Sequence, residues 1–183
     1  MAEAAGQPPH LLYVLRHAKS SWEKPGLEDH DRPLAPRGRK AAAEMARHLK
    51  DAEIRPSMVL CSSARRARET YEGVKPTGEL LVEPDLYGAT AGEVIERLRE
   101  LPEGADTAMV IGHNPTMQLL VVWLASSNLS PERTTRADSP QLEQVREKFP
   151  TCALATLAFE RRWRELAPGR AELRGLVRPA DLD

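Results

Sequence analysis

The sequence predicts an α/β protein of three layers, with helices on both faces of a mostly parallel central sheet and no large cap domain. Three observations carry this expectation. Short apolar runs rich in β-favouring residues recur along the chain, a turn and a segment of helical character follow each of the early ones, and the alternation extends over most of the 183 residues. A chain of this length with 41% hydrophobic residues buries one core and is short for two, so one domain is expected over residues 11–183. Residues 1–10 hold a glycine, two prolines and small residues without periodicity, and read as a flexible tail.

The first strand is LLYVL, residues 11–15. It leads into KSSWEKPGLEDHDRPLAPRG, a loop dense in turn formers and long enough in a compact domain to be functional. Over residues 37–52, Ala42, Met45, Leu49 and Ala52 recur at helical spacing with Lys and Arg opposite, which predicts an amphipathic helix against the sheet. SMVLCSS reads as the second strand and ARRARETYEGV as the helix after it, started by serines suited to N-capping. ELLVEPDLYGATAGEVIERLRELPEGA supplies a short strand, a loop and a helix over residues 91–101.

TAMVIGHNPTMQLLVVWLA repeats the unit, with a strand through Val110 and Ile111 and a tight turn at Gly112. Asn114 is then the expected N-cap and Pro115 the first helical residue. That helix is apolar nearly all round, so it should be buried, with Met117 and Trp123 in its core. Residues 126–150 are polar with a short helix in PQLEQVREKF, and CALATLAF and AELRGLV complete the strands.

A net charge of −1 leaves no electrostatic footprint for nucleic acid. The start is unlike a signal peptide and no apolar run approaches the length of a membrane span, so no membrane partner and a cytoplasmic location are expected. Cys61 and Cys152 lack CxxC spacing and read as small buried hydrophobes within strands rather than a disulfide or zinc framework.

Three strand-to-helix junctions carry polar residues of one kind: Arg16 and His17 on the first, Arg66 within the second, His113 on the third. In a parallel sheet these junctions share one edge, where ligands bind. Helix N-termini there favour an anion, and Asn114 with Pro115 makes that arrangement expected beside His113. Two arginine forks complete a cage for a tetrahedral dianion, a phosphoryl group. A neutral imidazole attacks phosphorus, and the phosphohistidine it forms is reactive enough to hydrolyse. Arginines stabilise the oxygens in transit, so neither metal nor other cofactor is expected.

His10, His30 and His48 are expected in the tail, a loop and an exposed helix face, which leaves only His17 and His113 to meet. Two ligands without an acidic cluster make a poor metal site. Arg65 and Arg68 read as a solvated helix face. Asp29 and Asp31 could orient an arginine or bind a cationic part of a substrate, with loop capping the favoured role.

The ordered set LRHAKSSW, DHDRPLAPRG, CSSARRARET and VIGHNP, extended by KFPTCALATL, resembles the histidine phosphatase superfamily, specifically its small SixA-type phosphohistidine phosphatase branch. The resemblance implies a phosphoglycerate mutase-like fold, His17 as the phosphorylated nucleophile, Arg16 and Arg66 as phosphate ligands, and His113 contacting the phosphoryl group from the far side. Arg66 is the matching arginine because it precedes Ala67 and stands four before Thr70. Ser20 and Asn114 are expected as further phosphate contacts. The chain departs from the family pattern at Ala18, at the pair Ser62 and Ser63, and at Glu69.

The glutamate that serves larger relatives as general acid is not marked, although Glu83, Asp85 and Glu93 are candidates for that role. A weak or absent acid favours phosphoramidates over esters. The expected substrate is therefore phosphohistidine on a protein, with small phosphate esters second. The alternatives are a phosphatase or mutase for small phosphate esters, or a phosphate-binding module without catalysis.

Overall fold

Successive residues of a strand point to opposite faces, and here both sets are apolar. Leu12 and Val14 join Leu60, Val110 and Leu157 in one core, while Tyr13 and Leu15 join Val59, Ile111 and Leu154 in the other. A sheet buried on both sides needs helices on both sides, and the computed structural model, which describes residues 9–129 and 138–182, supplies them. The strands are β1 (His10–Arg16), β2 (Met58–Ser62), β3 (Glu79–Glu83), β4 (Thr107–Gly112), β5 (Leu154–Phe159) and β6 (Glu172–Val177). The helices are α1 (Pro36–Asp51), α2 (Arg65–Val74), α3 (Ala91–Arg99), α4 (Thr116–Ala125) and α5 (Pro140–Glu147). Helices α1 and α2 cover one face, and α3, α4 and α5 cover the other.

The sheet order is β3-β2-β4-β1-β5-β6. Its first four strands are parallel, so β1, β2 and β4 all deliver their C-terminal residues to one edge. Strand β5 runs antiparallel to β1, with Leu154 opposite Leu15, and so brings the segment before it to that same edge. The backbone locks this junction: Arg16 N–H donates to the Ala153 carbonyl, and Cys152 N–H to the carbonyls of Arg16 and His17.

Several local expectations are corrected. His10, assigned to the tail, is buried in β1 and stacks on Phe159 with centroids 5.3 Å apart; the rest of the expected tail, residues 1–8, lies outside the described residues. Helix α2 begins after Ala64 without a side-chain cap, because the Ser62 hydroxyl accepts from Ala64 N–H while still in the strand. Helix α4 begins at Thr116 with Pro115 as N-cap. The Asn114 carboxamide is instead drawn to the carbonyl of Phe149, although its oxygen still accepts from Gln118 N–H at 3.3 Å. Cys152 sits in a turn at φ 62° rather than in a strand, while Cys61 lies in β2 as expected; both thiols are buried, which pushes them up to about 12. Trp123 is 39% exposed and Leu119 41%, so α4 is not buried all round.

Gly38 sets how closely α1 approaches the loop that carries the site. A Cβ at this position would stand 2.1 Å from the Lys19 carbonyl oxygen and 2.9 Å from its nitrogen, both backbone atoms that cannot swing away. Gly38→Ala is therefore expected to destabilise the protein by about 1–3 kcal/mol despite the better helix propensity of alanine, read as a lower denaturant midpoint at unchanged slope.

Candidate active site

Both imidazoles stand at the edge the topology predicts. His17 follows the last residue of β1 and His113 follows the last residue of β4, and their ring centroids lie 5.1 Å apart. Arg16 and Arg66 stand close enough to both rings for their positive charge to disfavour imidazole protonation. Thr70 explains the spacing of the arginine motif. Its hydroxyl donates to the Arg66 carbonyl one turn back and accepts from Ala18 N–H, joining the loop of His17 to the helix of Arg66.

Neighbours fix the tautomer of His17 and engage one nitrogen of His113. His17 Nδ1 lies 2.7 Å from the Ala18 carbonyl, an acceptor only, so Nδ1 carries the proton and Nε2 keeps its lone pair. His113 Nε2 lies 2.7 Å from the Ser62 hydroxyl, which also accepts from Ala64 N–H; in the tautomer where the hydroxyl proton points at Nε2, Nδ1–H is left as a donor. Among the described residues, the buried side-chain polar atoms without a hydrogen-bond partner are His10 Nε2, Arg16 Nε and His113 Nδ1. Two of the three belong to this cluster. Buried donors left unpaired are costly, and a bound oxyanion would satisfy both.

Burial pushes His17 down to about 3, with His113, Arg66 and Arg16 adding to the effect against the Ala18 carbonyl. His113 is lowered to about 4, first by burial and then by Arg66. Both rings are thus neutral at pH 7. Since both folded values lie below the unfolded one of about 6.5, the unfolded chain takes up protons first on acidification. Stability is expected to fall as pH drops from about 6.5 towards 3 to 4 and to gain nothing from these groups above that window. Imidazole NMR signals of the free protein should correspondingly show no titration of either ring near pH 6.5.

Asp29, in the short 3-10 turn Asp29–Asp31, holds Arg66. Arg66 Nη1 donates to the Asp29 carbonyl at 2.7 Å and Nη2 to its carboxylate at 3.0 Å. The same carboxylate accepts from Tyr87 Oη at 2.7 Å and from Arg32 Nη1 at 2.9 Å. The Tyr87 hydroxyl, then Arg32 and Arg66, hold this carboxyl well below the usual carboxylate range. Of the three roles considered for Asp29, the geometry displays the orienting of an arginine, and the favoured one, loop capping, is corrected: the turn has no side-chain cap.

Arg32 and Tyr87 were not singled out from the sequence, and Ser62 and Thr70 entered only as marks of the family pattern, without a role. Arg32 is buried and knits the long loop together: it donates to the Ser20 hydroxyl and the Ser21 carbonyl, and its guanidinium lies 3.2 Å from the centroid of the exposed Trp22 ring. A lone arginine between aspartate and proline in a polar loop was the available signal. The departures from the family pattern also find partners: Ser63 meets His30 Nε2 at 2.9 Å, and Glu69 accepts from Leu34 N–H at 2.7 Å.

The expected peripheral contacts fare differently. The Ser20 oxygen is occupied by Arg32, and the Asn114 carboxamide by Phe149 and Gln118. Glu83 and Asp85 line, together with Glu93, a cavity that reaches neither Arg66 nor His113, although it adjoins the one that does at Leu86, Gly88 and Ala89. Glu83 is paired there with Arg97 at 2.6 Å, and Glu93 closes a capping box with Thr90. Among the described residues no cluster of three or more His, Cys, Asp or Glu side chains could hold a metal ion, and no helix is long and apolar enough to cross a membrane.

Residues 12–93 match the profile of the histidine phosphatase superfamily (branch 1). An uncharacterized protein of Mycobacterium tuberculosis is 37% identical over 165 residues, covering 90% of this chain and 99% of the relative. The structure of SixA from Nakamurella multipartitia superposes with a TM-score of 0.83 at 29% identity, covering 94% of this chain and 99% of that one. SixA from Agrobacterium tumefaciens follows with a TM-score of 0.74 at 25% identity, covering 94% and 100%.

Proposed function

The chain belongs to the histidine phosphatase superfamily, SixA-type branch, and from that premise we propose that it hydrolyses phosphohistidine on a protein partner through a phosphohistidine formed on its own His17. The observation that carries the substrate class is the state of the acid. The carboxylate beside the cage is Asp29, held ionised by three hydrogen-bond donors, while Glu83 and Asp85 are on another cavity. A departing alkoxide needs a proton in the transition state, because its conjugate acid is about as weak as water. A phosphohistidine ring can take that proton from solvent beforehand on its other nitrogen, whose pKa is of the ordinary histidine order of about 6.5, and then departs as a neutral imidazole without an acid from the protein. Likeness to SixA phosphohistidine phosphatases supports the same choice.

In the first step the lone pair of His17 Nε2 forms a bond to phosphorus while the bond from phosphorus to the substrate imidazole, protonated by solvent on its other ring nitrogen, breaks; the bonding pair stays on the freed nitrogen and the substrate ring leaves neutral. Arg16, Arg66 and His113 Nδ1–H then face the equatorial oxygens, where charge must be stabilised. In the second step water attacks phosphorus, the bond to Nε2 breaks, and the water's proton leaves to phosphate or solvent. His17 returns neutral. A further cavity of about 690 Å³ has Lys19, Arg37 and Lys148 in its lining against a single carboxylate, Glu147, with Arg178 paired to Asp181, and this net positive wall supports a protein partner with an acidic surface.

Turnover of a histidine-phosphorylated carrier protein, compared with that of simple phosphomonoesters, tests the proposal. Since a positioned general acid contributes about 10²–10⁴-fold, kcat/KM is expected to favour the phosphohistidine by at least about 10². Equal or better turnover of esters would assign the site to small phosphate esters instead.

A further inference from the structure

The expectation that α4 is buried all round fails at Leu119 and Trp123, one turn apart on a single face. These two side chains do not stand on open surface. They line a cavity of about 520 Å³ together with Leu86, Tyr87, Ala89 and Pro115, and the same lining includes Arg66 and His113. The cavity is therefore continuous with the phosphoryl cage.

Its polar walls are already committed. The Thr116 hydroxyl donates to the Ala89 carbonyl at 2.5 Å, the Thr90 hydroxyl serves the capping box of α3, and the Asn114 carboxamide is held by Phe149. Beyond the cage, the cavity offers hydrophobic surface and few free hydrogen-bonding groups. A glycerate or sugar placed there would lose water from its hydroxyls without recovering hydrogen bonds. The wall is also long: from Thr116 to Trp123 the helix rises about 10 Å, farther than a three-carbon backbone reaches from its phosphate.

Resting on the reading of the substrate as phosphohistidine in a polypeptide, the geometry points to this groove as a specificity subsite that takes an apolar side chain neighbouring the phosphohistidine, with Leu119 and Trp123 as the residues that select it. A polypeptide supplies such a side chain at the required reach, and the phosphoryl group anchors it. Its burial removes Leu119 and Trp123 from water together with the incoming group.

Two histidine-phosphorylated peptides of equal length and charge decide the matter, one flanked by leucine and phenylalanine, the other by serine and asparagine, with inorganic phosphoramidate as a probe that reaches only the cage. Wild type is expected to prefer the apolar peptide by about tenfold in kcat/KM. The preference, taken as a ratio within each protein so that any general loss cancels, should shrink to threefold or less in Leu119→Asn/Trp123→Gln. Equal use of both peptides by wild type, or a preference that survives the double substitution, would overturn the subsite and leave the phosphohistidine reading intact. Hydrolysis of phosphoramidate but of neither peptide would instead remove the polypeptide substrate, and the subsite with it.

Discussion

His17→Gln abolishes covalent labelling and lowers turnover by about 10⁴-fold or more, the scale on which enzymes lose rate when the nucleophile is removed. The effect is expected to be this large because nothing near His17 can substitute for it. His113 Nε2 is engaged by Ser62, and in the tautomer that serves an oxyanion its Nδ1 carries the proton, so the second ring presents a donor rather than a lone pair. Wild type exposed to radiolabelled phosphoramidate should acquire label that is stable in alkali and lost in acid, the behaviour of a phosphorus–nitrogen bond. A wild type that turns over substrate without ever carrying label would sink the covalent route. One that neither labels nor turns over would mark the site as a phosphate-binding module.

The topology was legible because it depends on repeated local patterns. Each parallel strand is an apolar run with a turn behind it, and once the strands are parallel their C-terminal residues must share an edge. Arg16, His17 and His113 could thus be gathered from the sequence by topology, while Arg66 was told from Arg65 and Arg68 by the family pattern. What stayed hidden depends on single long-range contacts. No spacing rule connects Asp29 to Arg66, thirty-seven positions apart, or Tyr87 to Asp29; the long loop simply folds back over α2.

The general acid shows the opposite failure. Proximity in sequence to β3 made Glu83 and Asp85 plausible, but Glu83 pairs with Arg97 on α3 and both carboxylates line a different cavity. Trp123 shows a limit of periodicity itself. A helix with apolar residues on every side has no polar stripe to mark which side turns away from the sheet, so its exposed strip beside the cage could not be read in advance.

The contact between Asp29 and Arg66 leads to a second large effect. Arg66 spends one N–H of each terminal nitrogen on Asp29, on a backbone oxygen and a carboxylate oxygen, and its guanidinium carbon lies 5.9 Å from the centroid of the Tyr87 ring. The planar group is thereby fixed in orientation before any ligand arrives, and its remaining donors are free for oxygens of the phosphoryl group. Arg66→Ala is expected to lower kcat/KM for phosphoramidate by about 10³-fold or more, as arginines that stabilise transferring phosphoryl groups do. Arg66→Lys should lose nearly as much. An ammonium is a single point of donation that can satisfy Asp29 or the oxyanion but cannot bridge both in fixed geometry. Asp29→Asn, which keeps the backbone oxygen and a side-chain oxygen in place, should lose less than either, about tenfold. If the guanidinium acts through the geometry Asp29 imposes, Asp29→Ala combined with Arg66→Ala costs little more than Arg66→Ala alone. Rescue of activity by lysine at position 66 would mean that charge alone matters and that the clamp on Arg66 has no part in catalysis.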